Sequence, residues 1–71
     1  MAAGTARLFI ELLERDTNLQ TQFSIVSPNT ADAILDFAAA KGYIFTKDDL
    51  YAALKELPES RIAQDLRQRA H

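Results

Sequence analysis

The stretch AAAKGYIFTKDDLYAALKEL, residues 38–57, holds a full set of local instructions for turning one helix into another. Alanines favour helix up to Lys41. Gly42 stands where a helix leaves through the left-handed region, which glycine enters without strain. Tyr43 follows, placed to fold back on Phe37 or Ala38 as the apolar contact of such an exit. Phe45 precedes Thr46, the expected cap of the next helix, and can staple onto Leu50. Thr46 with Asp49 makes a shortened capping box. Asp48 and Asp49 set negative charge at the positive end of the helix dipole. The stretch reads as a corner between two helices, and no residue in it requires a ligand.

Upstream, Ala6, Phe9, Ile10 and Leu13 follow the i, i+3, i+4, i+7 pattern of a first helix. Leu8 and Leu12 widen this stripe well beyond the usual arc of about 100°. Arg7, Glu11, Glu14 and Arg15 hold the remaining side. So wide an arc reads as a core helix with neighbours on two sides, or as one with an open docking face. The helix should stop near Asp16, because Thr17 and Gln20 fit the capping box of a second, short helix. Leu19, Phe23 and Val26 line one side of it, and Ile25 falls off that side as an exposed apolar residue. Pro28 bars the right-handed helical region for Ser27, and Asn29 or Thr30 can cap a third helix. In ADAILDFAAAK, Asp32 and Asp36 make the only clear polar stripe, which predicts a deep, central helix. Downstream of the corner, Leu50, Ala53, Leu54 and Leu57 form the buried side of a helix that ends before Pro58.

The expected fold is all-α, a small single-domain bundle of three to four short helices without strands. Residues 1–57 form the domain, and residues 58–71 form a polar C-terminal tail, partly helical or disordered. In that tail Pro58 suits a first helical position, and Ile62 and Leu66 lie four apart. The expected core is Phe9, Leu12, Leu13, Leu19, Phe23, Ile34, Phe37, Ala38, Phe45, Leu50 and Leu54.

At 71 residues the chain makes one domain at most, near the lower limit for folding on a single apolar core. Its 48% hydrophobic and 25% charged residues match an ordinary globular protein. The absence of cysteine excludes disulfides, thiolate metal sites and a cysteine nucleophile. No apolar run approaches the roughly 18 residues that cross a bilayer, and MAAGTAR has no secretion pattern, so the expected location is cytoplasmic, off the membrane. A formal charge of −2 and a pI near 5.1 argue against phosphate-backbone binding. Arg61, Arg67 and Arg69 make the tail slightly basic, as a solvated end would be.

Catalysis has little to work with. His71 is the last residue and has no fixed neighbours. Asp48 and Asp49 project about 100° apart on a helix and do not converge on one atom. Gly4 and Gly42 cannot form a phosphate-cradling loop, and Ser24, Ser27 and Ser60 have no histidine to activate them. The expectation is no enzyme, with no catalytic, metal or cofactor residues. A helix-turn-helix reading of Thr46–Leu57 fails on Asp48 and Asp49 at the helix entry, with only Lys47 and Lys55 for a DNA backbone.

Two motifs carry a family resemblance between about Ala6 and Leu57. LFIELLERDTNLQTQF pairs an apolar helix with Asp16 and Leu19, and is generic. The second run, Lys-Gly-Tyr-x-Phe-Thr-x-x-acid-Leu-x-x-Ala-Leu, is more specific. It is supplied here by Gly42, Tyr43, Phe45, Thr46, Asp49, Leu50, Ala53 and Leu54, after Phe37 and Ala38. The chain thereby resembles the Nif-eleven domain, associated with nitrogen fixation and also used as the leader of enzymatically modified natural-product precursors. In precursors, the resemblance implies modifying enzymes docking on the domain and cleavage after a Gly-Gly or Gly-Ala pair. No such pair follows the fourth helix here. Past Lys55 there is one serine, with no threonine or cysteine, so a stand-alone bacterial relative is expected. The functional expectation is a non-enzymatic interaction module docking to a protein partner through an apolar helix face of Leu8, Ile10, Ile25 and Tyr51. The alternatives are a leader-like substrate of peptide-modifying enzymes and a self-associating homodimer.

Overall fold

The computed structural model describes residues 3–70. Within them lie five helices: α1 (Ala3–Arg15), α2 (Thr17–Val26), α3 (Ala31–Ala40), α4 (Lys47–Glu56) and α5 (Arg61–Arg69). The described residues contain no strand. The all-α expectation holds, and the helix count is one higher than predicted.

A single residue separates α1 from α2. The Asp16 carboxylate accepts from the backbone N–H of Asn18 at 2.9 Å and of Leu19 at 3.2 Å, so Asp16 caps α2. The predicted cap, Thr17, is already helical. Gln20, expected to return to Thr17, instead donates its amide to the Leu13 carbonyl at 2.7 Å. A charged acceptor one position earlier outcompetes the hydroxyl, which leaves Gln20 to satisfy an orphan carbonyl at the end of α1.

Because Pro28 disfavours the right-handed helical region before it, α2 ends with Ser27 left-handed at φ 49°, and its N–H bonds the Phe23 carbonyl at 2.7 Å. Thr30 caps α3 by accepting from the Ala33 N–H at 3.1 Å. At the far end of α3, Tyr43 N–H bonds the Ala38 carbonyl at 2.9 Å and Gly42 N–H bonds that of Ala39 at 3.0 Å. This pair of bonds is a Schellman exit, and it holds Gly42 at φ 94°. Thr46 then accepts from the Asp49 N–H at 3.2 Å while the Asp49 carboxylate accepts from the Thr46 N–H at 3.0 Å. The corner read from residues 38–57 therefore forms as expected. A Cβ at Gly42 would meet nothing within 4 Å, so only the backbone opposes a side chain there. Gly42→Ala should lower stability by about 1–2 kcal/mol, read from urea unfolding. An unchanged midpoint would mean that the exit does not need the left-handed residue.

Segment 58–71, read as a tail, contains α5. Ser60 caps it, accepting from the Ala63 N–H at 3.1 Å, and the same hydroxyl donates to Glu14 of α1. Ala63 and Leu66 are fully buried in the same core as residues 6–54. The arginines are structural. Arg67 donates to the Leu54 carbonyl at 2.6 Å and the Leu57 carbonyl at 3.1 Å, capping the end of α4. Arg69 donates to the Pro28 carbonyl at 3.1 Å and lies 5.1 Å from the Phe23 ring centre.

Helix α1 is the centre of the bundle, touching α2, α4 and α5. The prediction of a central α3 is corrected: α3 leans on α4 and buries only Ala31, Ile34, Phe37 and Ala38. Its apolar composition does reflect missing polar residues, but no other helix covers its second side. Phe9 anchors the core, with ring centres 6.1 Å from Phe37, 5.9 Å from Tyr43 and 5.9 Å from Phe45. Of the predicted core, only Leu12 is half-buried. Val26, expected on the inner side of α2, is exposed instead.

Candidate functional site

Helices α2 and α3 diverge from the turn at residues 27–30 and leave an open groove of about 490 Å³ between them. From α2 it receives Gln22, Ile25 and Val26. From α3 it receives Ala33, Asp36, Phe37 and Ala40, which share one helical face by their i, i+3, i+4, i+7 spacing. The floor is aromatic: Phe37 meets Phe23 edge-on at 5.3 Å, and Arg69 lies against the Phe23 ring. Lys41 closes one end, donating to the Gln22 side-chain oxygen and lying 5.5 Å from the Phe37 ring centre. Beyond this bridge lies a smaller hollow of about 260 Å³, lined by Leu12, Asp16, Asn18, Leu19 and Tyr43 together with the two bridging residues.

The groove walls are apolar and carry one charge of each sign. Lys41 has no carboxylate partner, and Asp36 forms no ion pair; Asp32 on the same helix pairs with Lys47 at 3.2 Å. Such a surface can take up apolar side chains and orient them by charge.

The four residues expected to make a docking face are not brought together. Ile25, 77% exposed, stands at the groove. Leu8 on α1 and Tyr51 on α4 are exposed at 47% and 38% but do not line it. Ile10 is fully buried, which corrects its placement on an outer face. It belongs to the Ala6, Phe9, Ile10, Leu13 stripe, and α1 has neighbours on enough sides to cover all four. Sequence reasoning missed Val26 (59% exposed) and Ile44 (76% exposed) as open apolar residues. Val26 ends α2 immediately before a left-handed residue, and that reversal turns it outward against the helical pattern.

The residues weighed for chemistry have structural placements. Asp49 and Thr46 cap α4, Ser60 caps α5, Gly42 ends α3, and Gly4 lies within α1. His71 is outside the described residues. Among the described residues, no group of three or more His, Cys, Asp or Glu side chains could hold a metal ion. Nor is any described helix long and apolar enough to cross a membrane.

The family model of the Nif11 domain matches residues 1–50. That span takes in α1, α2, α3, the Gly42–Thr46 corner and the first turn of α4, and so both walls of the groove. No curated protein and no solved structure matches the chain.

Proposed function

Since the chain belongs to the Nif11 domain family, we propose that it is a non-enzymatic recognition module that docks another protein in the α2–α3 groove. The observation that carries this reading is the pair Ile25 and Val26, large apolar side chains left open beside an apolar trough. Scattered exposed apolar residues are ordinary, but a contiguous set lining a concavity is the usual mark of an interaction surface. Leu8 and Tyr51 are further contacts for a partner that reaches beyond the groove. The module works in the bacterial cytoplasm in this reading.

The test places a photo-crosslinking amino acid at position 25 and, as control, at exposed position 61 on α5. Irradiation in the native cell should give a protein adduct from position 25 and none from position 61. Equal labelling at both positions, or none at either, overturns the reading.

Family membership also favours a second reading, a leader-like segment recognised by peptide-modifying enzymes. The mass of the protein recovered from its own cell separates the two. A truncated or dehydrated species supports processing, and an unaltered chain supports the recognition module.

A further inference from the structure

We propose that the occupant of the α2–α3 groove is a second copy of this chain, with the two α3 helices crossing antiparallel about a two-fold axis between Phe37 and Ala40. The inference rests on the reading of the groove as the docking surface and names what docks there.

Helix α3 is patterned for more neighbours than the chain supplies. In ADAILDFAAA only Asp32 and Asp36 are polar, yet one side alone is buried. A helix apolar around most of its circumference needs cover around most of it. On the open side, Ala33 and Ala40 are small enough for another helix to come close.

The shape is self-complementary. Ile25 and Val26 form a ridge, and the trough along α3 lies beside it on the same face. A two-fold copy sets its ridge over the first chain's trough and receives the first chain's ridge in its own, as an isologous interface requires.

The charges choose a copy over an unrelated partner. Asp36 forms no ion pair, and Lys41 has only neutral partners, the Gln22 oxygen and the Phe37 ring. A partner segment of one sign would answer one of these and oppose the other. About an axis between positions 37 and 40, Asp36 of each copy faces Lys41 of the other, so both charges are matched at once.

Sedimentation of the full chain between about 1 μM and 1 mM tests the proposal. The mass should double within that range. Asp36→Lys, at an exposed position, should raise the dissociation constant at least about tenfold, because it sets like charges opposite each other. Adding Lys41→Glu should restore it, since the reversed pair is again complementary. Ile25→Glu, at the most exposed ridge position, should give a monomer with an unchanged helical circular dichroism spectrum. A wild-type chain that stays monomeric at 1 mM overturns the inference, as does failure of the charge reversal to restore association in a folded double variant. If position 25 crosslinks a different protein while the purified chain stays monomeric, the docking reading survives and the second copy is excluded. If the chain dimerises without any adduct at position 25, both fall.

Discussion

Phe9→Ala leaves the domain largely unfolded at 25 °C. The Phe9 ring is fully buried and meets Phe37, Tyr43 and Phe45 within about one ring diameter. Truncating a buried phenylalanine costs about 3–5 kcal/mol, through lost transfer energy and the cavity left behind. Three aromatic contacts add about 0.5–1.5 kcal/mol each beyond area burial. A single core in a chain of this length rarely supplies more than about 3–5 kcal/mol, so this one change removes the whole margin. Loss of helical ellipticity and of dispersed amide resonances would report it. Phe9→Leu, which keeps most of the volume, should fold with a lower midpoint. A cooperative melt of Phe9→Ala within a few degrees of wild type would show that the aromatic cluster is not the centre of the core.

The second large effect concerns α5. Leu66 is fully buried against residues of the first four helices, and Arg67 and Arg69 tie the same helix to the end of α4 and to the α2–α3 turn. Leu66→Ala should cost about 2–5 kcal/mol and lower the midpoint of the entire transition. The discriminating measurement is urea unfolding followed at once by far-ultraviolet ellipticity and by the near-ultraviolet signal of the tyrosines. Coincident curves shifted together mean that α5 is integral to one cooperative unit. If α5 alone melts, part of the ellipticity is lost early while the tyrosine signal keeps its wild-type midpoint, and α5 is then an appendage.

What could be read in the sequence is what short-range chemistry dictates. Gly42, Thr46 and Asp49 bond within a few positions of themselves, so spacing alone exposes their roles. Phe9, Phe37 and Phe45 lie on apolar stripes whose burial follows from helical periodicity. The misreadings share a different cause. Asp16 and Thr17 offer competing caps, and carboxylate strength settled the contest. The burial of Ala63 and Leu66 and the reach of Arg69 to Pro28 depend on partners tens of positions away, where a short, charged segment carries almost no local signal. Ile10 and Val26 exchanged their expected environments because stripe width does not say how many neighbours surround a helix. The groove was visible only as Ile25, since its other wall belongs to an α3 whose composition spoke for burial.

The corner that joins α3 to α4 also bears on the order of events in time. Its bonds run from Tyr43 to Ala38, Gly42 to Ala39, and between Thr46 and Asp49, so every loop they close is short. Closing short loops costs little chain entropy, and contacts of that kind are the ones a polypeptide can make early. The clasp between Arg69 and Pro28 spans 41 positions and cannot repay its closure until both ends are already in place. The bend is thus built to nucleate, and the last helix to arrive as a seal on a half-finished interior.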